Sequence, residues 1–287
     1  MARKAHPAAP ATAPPSAAFL RAQTETGKLI QHERDIESLT VYEWSEDGVQ
    51  QNAFGDQDIT VPDGAARIEL QLYNFPTGQL RKIYFPKGTR TPWHPNHDDI
   101  ILYGIDAHQI EFVGNQTFHS RPGDCTLHPS GVDHHSETLI AGTRVEFAFA
   151  AQHRSGRDLV ALPGADMQLH EMTEWVEKGR RLEQFGTRRG AGARYRAKLF
   201  YFPGYTVREL HLPKGAALPR HRNSDEKLLY VLSGKLSVTT DRATDLVTGG
   251  GMLRMVAGKA FAREALSPSV VLELEASLTP RPYPRQD

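Results

Sequence analysis

Apolar residues along this chain recur with a period of two, not 3.6. The runs IELQLYNF, QLRKIYF, IILYGI, HQIEFVG and TRVEFAFA are short and alternating, or rich in β-branched and aromatic side chains. Turn-forming clusters separate them: PTG, PKG, RPGD and HPSG. Successive side chains of a strand point to opposite faces, so these runs predict strands with at least one face on a core. One segment, MTEWVEKGRRLEQF, is compatible with a helical turn. Its counterpart VYEWSEDGVQQNAF is less so, and both are read as strand and loop. Many short strands at regular spacing predict an all-β sandwich or closed barrel, and a jelly roll satisfies the count.

The pattern repeats. FPKGTRTPWHPNHDDIILY, from Phe85 to Tyr103, aligns without a gap to LPKGAALPRHRNSDEKLLY, from Leu212 to Tyr230, at an offset of 127 positions. Phe75-Pro76 recurs as Phe202-Pro203, Arg81 as Arg208, Glu137 as Glu264 and Glu146 as Glu273. Upstream, Glu43-Trp44 matches Glu174-Trp175 at an offset of 131, so the second copy lacks four residues in the intervening loop. A repeat this long implies two copies of one unit. The chain divides into residues 1–38, a disordered Ala/Pro-rich tail and lead-in; 39–150, the first unit; 151–168, a linker; 169–278, the second unit; and 279–287, a tail.

Composition narrows the setting. Lys plus Arg and Asp plus Glu are 34 each in 287 residues, so no net charge points to nucleic acid or an anionic membrane. No apolar run is long enough to span a bilayer. The Ala/Pro-rich N-terminus lacks a continuous apolar stretch and makes a poor signal peptide. Cys125 is the single cysteine, which excludes an internal disulfide framework and leaves the cytoplasm as the default location. It reads as a small buried residue, not a nucleophile.

The turn at the end of the first unit carries a specific motif. Gly123, five residues, Pro129-Ser130-Gly131, two residues and His134 follow in order. This resembles the second motif of the cupin superfamily. The first cupin motif is matched in part: Gly88, five residues and His94 fit, but Asn96 stands at the second His position and Ile100 at the Glu position. The resemblance covers both repeats. It implies two tandem jelly-roll cupin barrels, a bicupin, with a metal site in the first barrel. In the second, Lys227, Val256 and Phe261 stand at the motif positions for Glu, Pro and His, so that barrel is expected to be structural.

The repeat is an internal control on the histidines. Seven of 13 lie between His94 and His135, and among them only His94 recurs, as His221. A residue that the barrel requires should appear in both copies, so the others are free to serve a site. His94 and His134 are the expected metal ligands. The third ligand stays open among His97, Asp98, Asp99 and Asn96. His97 would point inward only through a bulge near Pro95. His128 and His135 are expected to support the site from outside it or to face solvent, and His108 and His119 to lie on the surface. Glu146 recurs, which favours a structural role. Trp93 and Tyr103 are candidate pocket residues, with packing as the alternative, above all for Tyr103, which recurs as Tyr230.

Imidazoles with a carboxylate suit one divalent transition metal per chain, Fe, Mn, Ni, Cu or Zn, with iron favoured. The expected activity is that of a metal-dependent enzyme on a small organic substrate, of dioxygenase or of lyase/isomerase type. The alternative is a non-catalytic small-molecule-binding or regulatory bicupin. A homodimer is the expected assembly.

Overall fold

A computed structural model of the chain describes residues 17, 28–96, 98–149, 160–187, 190 and 192–276. From Ile30 to Ala276 the elements are strands, apart from one 3-10 turn at Glu33–Asp35. No helix among the described residues is long and apolar enough to cross a membrane. The all-β jelly-roll expectation is met in both copies.

Each copy starts with a hairpin: Ser38–Glu46 with Val49–Phe54, and His170–Glu177 with Arg180–Phe185. The two-residue turns are Asp47-Gly48 and Lys178-Gly179, and all four residues have positive φ, between 49° and 78°. Two positive φ values in succession define the turn whose twist matches that of paired strands. The segment with helical character is therefore a strand pair in both copies.

In the first copy an eight-stranded sheet faces a four-stranded one across the barrel. In the second copy the equivalent strands form one continuous twelve-stranded sheet. The joint is a parallel bridge between Arg180 and Arg222. There the Arg222 N–H donates to the Gly179 carbonyl at 3.1 Å. Pro95 occupies the matching position in the first copy and has no N–H to give, so the first barrel stays open at that seam.

The copies exchange strands. Ile30–Gln31 lies before the first unit but pairs with Met252–Leu253 of the second. Val160–Leu162 lies in the expected linker but pairs with Cys125–Leu127 of the first. The two pairings match under the repeat offsets, so each barrel receives its outermost strand from the lead-in of the other. Residues 28–38 and 160–168 thus belong to the folded body. The remainder of the expected tails and linker, residues 1–16, 18–27, 151–159 and 277–287, lies outside the described residues.

The largest apolar cluster sits between the barrels. It is built from repeat mates: Tyr73 with Phe200, Phe75 with Phe202, Tyr103 with Tyr230, Val145 with Leu272 and Phe147 with Leu274. The central strands are therefore buried on both faces, one against the other barrel and one toward their own interior. Truncating such a residue removes packing on a dry face and costs about 3–5 kcal/mol for Phe→Ala. Phe147→Ala and Phe200→Ala should each lower stability by that amount in chemical denaturation. The shared core predicts a single unfolding transition. Two resolved transitions would show that the barrels fold independently.

Candidate metal centre

Three strands of the first barrel carry the histidines: His94–Pro95, Cys125–His128 and Asp133–Ile140. His94 and His134 are direct cross-strand partners. Their rings lie 4.4 Å apart, centroid to centroid, on the wall of a cavity of about 620 Å³. Each ring is held in the same way. His94 Nδ1–H donates to the Pro92 carbonyl at 2.9 Å, and His134 Nδ1–H to the Val132 carbonyl at 3.1 Å. A bond from Nδ1–H fixes the tautomer and leaves a lone pair on Nε2. Burial lowers the His94 pKa. Burial, reinforced by His94, pushes His134 down to about 4. Both rings are therefore neutral at neutral pH, the form that binds a metal.

His128 joins them. It is fully buried, and its ring lies 4.9 Å from that of His134. The sequence reading set it outside the site. Alternation along Cys125–His128 places it inside: Cys125 and Leu127 face the inter-barrel core, so His128 faces the other way and lines the cavity. Its repeat mate Met255 lies in the inner core of the second barrel, a signal available from the alignment alone. His128 Nε2 and Glu111 Oε2 are both buried without a hydrogen-bond partner, and they stand 3.9 Å apart. Orphaned polar atoms in a polar cavity are an incomplete set of contacts.

Below the histidines lies a carboxylate–guanidinium layer. Arg144 donates to Glu111 at 2.7 Å and to Glu146 at 2.7 Å, and Arg81 stands 3.8 Å from Glu146. Glu43 lines the same cavity. Burial, followed by the charge of Glu146, pushes the Glu43 carboxyl up to about 7, against the pull of Arg144 and Arg81. Glu146 thus combines an ion-pairing role with a place on the cavity wall.

The other candidates are placed as follows. His97 lies outside the described residues. The Asn96 side chain donates from Nδ2 to His134 Nε2 at 3.2 Å and so caps that lone pair. Asp98 lines the cavity. Asp99 does not. Its carboxylate accepts the Ser130 N–H at 2.9 Å and stands 3.4 Å from the Tyr205 hydroxyl of the second barrel. It therefore fastens the Pro129-Ser130-Gly131 turn and is turned away from His94 and His134. Tyr103 is not in the pocket either. It is buried between the barrels and donates to Glu209 at 2.6 Å, and its repeat mate Tyr230 is buried in the same cluster. Trp93 is 46% exposed and rests on His135, with ring centroids 4.3 Å apart, outside the cavity. His135 in turn stacks on Phe112. His108 and His119 contact each other at the surface. Cys125 is buried, which raises its thiol pKa well above the ordinary value.

Among the described residues, no three His, Cys, Asp or Glu side chains already converge as a ligand set. The donor chemistry nevertheless fits a divalent transition metal. Two neutral imidazoles present Nε2 to the cavity, and a third buried imidazole and an amide stand beside them.

No protein-family model matches the sequence, and no curated protein matches it. Solved structures match the fold. Oxalate decarboxylase of Bacillus subtilis, in a study of its Mn(II) centres, superposes with a TM-score of 0.56 at 12% identity, over 88% of this chain and 78% of its own. HEPD of Streptomyces albus, with 2-hydroxyethylphosphonate and Fe(II) bound, gives 0.56 at 11% identity, over 78% and 74%. Pumpkin seed globulin gives 0.53 at 10% identity, over 75% and 82%. At this level of identity the likeness is one of fold: the chain shares the tandem jelly-roll barrel architecture of these proteins.

The raised pKa of Glu43 yields a pH signature. In the unfolded chain Glu43 ionises near 4.5, and in the fold at about 7. The folded state therefore loses stability as pH rises between those values, and above 7 the loss is complete. At pH 8 the limit is about 3 kcal/mol, reduced by whatever water reaches this half-buried side chain. In chelator-treated protein, Glu43→Gln should raise the melting temperature at pH 8 and change it little at pH 4.5. An equal effect at both values would mean that Glu43 ionises normally.

Proposed function

We propose that this chain is a metal-dependent bicupin enzyme acting on a small organic substrate, with its active site in the first barrel. The observation that carries the reading is the His94–His134 pair on the cavity wall, with both Nδ1–H groups bound to backbone carbonyls and the His134 Nε2 lone pair covered by the Asn96 amide alone. The second barrel supplies the control. His221 donates from Nδ1 to the Pro219 carbonyl at 2.9 Å, as His94 does to Pro92, but its cross-strand partner is Phe261. The pair is thus an addition to the barrel and not a requirement of it. The Mn(II) and Fe(II) named for two of the structural neighbours support the same reading.

His94 and His134 would hold the metal, with His97, Asp98 or the newly placed His128 completing the set. A bound divalent metal polarises a carbonyl or activates O₂. Arg81, which reaches the cavity from a partly exposed position, orients an anionic group of the substrate. Glu43, with a pKa near 7, takes or returns a proton at its carboxylate oxygen. Dioxygenase chemistry and lyase or isomerase chemistry both fit this equipment, with iron the favoured metal for the first.

Metal analysis tests the reading. Purified wild-type protein should carry about one divalent transition metal per chain and His134→Ala little. Equal content in the two, or none in wild type, would return the protein to the non-catalytic binding reading. Oxygen uptake with a panel of aromatic and hydroxy-acid substrates then separates oxygenase from lyase: consumption matched to product marks the former, and turnover without consumption the latter.

A further inference from the structure

The second barrel was expected to be structural, yet it contains a cavity of about 960 Å³, larger than that of the first. We propose that this cavity binds a small hydroxylated anion, a sugar acid or a sugar phosphate. The inference stands apart from the metal site, because it uses residues of the other barrel alone.

Beneath the cavity lies a charged but balanced network, of which Arg181, Glu183, Arg208, Lys227 and Glu275 reach the lining. Glu273 is fully buried and bound by Arg181, Arg208 and Arg263 at 2.8–3.2 Å, with Lys227 at 3.8 Å. Glu174, Glu183 and Glu275 take the remaining contacts of the same four cations. Four cations and four carboxylates leave no net charge there. The mouth is different. Lys178, Arg180, Arg220 and Arg222 surround it. Arg220 has Asp241 as a partner, and both are exposed. Among the described residues, Lys178, Arg180 and Arg222 have no carboxylate within ion-pair distance.

Two of these cations oppose each other directly. Arg180 and Arg222 are the partners in the bridge that closes the second sheet. Both are exposed, and the Arg222 guanidinium donates from Nη1 to the Gly258 carbonyl at 3.3 Å, which leaves its charge unneutralised. The barrel does not require them. The matching residues in the first copy are Val49 and Pro95, and those matching Lys178 and Arg220 are Asp47 and Trp93. The cationic mouth is therefore particular to the second copy.

The inner wall specifies the rest of the ligand. His221 and Asn223 line the cavity and are 2% and 4% exposed. His221 Nε2 and Asn223 Oδ1 have no hydrogen-bond partner. His221 donates from Nδ1 to Pro219, and Asn223 from Nδ2 to the Met255 sulfur at 3.7 Å. Both orphaned atoms are thus acceptors, and burial keeps the His221 ring neutral. Acceptors on the wall and cations at the mouth fit a ligand with hydroxyl donors at one end and a negative charge at the other.

Calorimetric titration of the full chain at low salt tests the assignment. The probes are gluconate and glucose 6-phosphate, with glucose and sulfate as controls that lack the charge or the hydroxyls. At least one of the two hydroxylated anions should bind once per chain, and at least about tenfold more tightly than either control. Whichever binds identifies carboxylate or phosphate as the preferred charge. The double variant Arg180→Ser/Arg222→Ser, both exposed positions, should weaken that binding at least about tenfold while keeping the wild-type melting profile. His134→Ala should leave it unchanged. The proposal is overturned if neither anion binds, if a control binds as well, if the double variant binds like wild type, or if His134→Ala abolishes binding.

Discussion

The apolar contact between the two barrels is the constraint on which the rest depends. Tyr73, Phe147, Phe200, Leu274 and their neighbours take out of water the outer faces of the central strands. Burial of this kind is the main favourable term in folding. Because it lies between the barrels, the inner faces of the same strands need not supply it. The first barrel keeps only a modest inner cluster, around Leu39, Ile68, Leu70 and Phe85. The remaining interior is available for histidines, carboxylates and arginines. The reciprocal strand exchange at Ile30–Gln31 and Val160–Leu162 fastens the same interface at the level of the backbone.

The two interiors manage buried charge in opposite ways. In the second barrel, Glu273 is held well below the usual carboxylate range by Arg181, Lys227, Arg263 and Arg208, which outweigh the cost of its burial. A buried ion lattice is sustained only when each member is matched. In the first barrel, Glu43, Glu111 and Glu146 face two guanidiniums, and both Glu43 and Glu111 are raised by burial. That imbalance leaves a carboxyl able to exchange a proton near neutral pH, beside histidines that stay neutral. One fold thus holds two differently balanced interiors: a matched ion lattice in the second barrel, and an excess of carboxylate beside neutral histidines in the first.

Much of the fold was legible because strand parity and turn chemistry are local. The repeat at offsets 127 and 131 exposed the two units, and the Pro129-Ser130-Gly131 turn with His134 pointed to the cupin barrel. The site was legible in part, for the same reason. His94 and His134 emerged from the motif, and the contrast with Phe261 reinforced them. His128 was readable too, from its alternation with Cys125 and Leu127 and from its mate Met255, but its place beside the turn obscured it. For Asp99 and Tyr103 the sequence left a site role open beside the alternatives, because the partners that hold them, Tyr205 and Glu209, lie more than a hundred positions away in the other barrel.

By itself the sequence determined the period of two and the duplication, and singled out His94 and His134 as candidate ligands. Each of these is encoded within a few residues or in a comparison of the chain with itself. Only the tertiary structure decided which face of each strand meets the other barrel, where the lead-in strands dock, and which charges share a cavity. The physical reason is that a buried side chain takes its character from neighbours distant in sequence. Glu43 becomes a weak acid through burial and then through Glu146, and Arg180 meets Arg222 only in the closed sheet. Neither property exists until the sheets close.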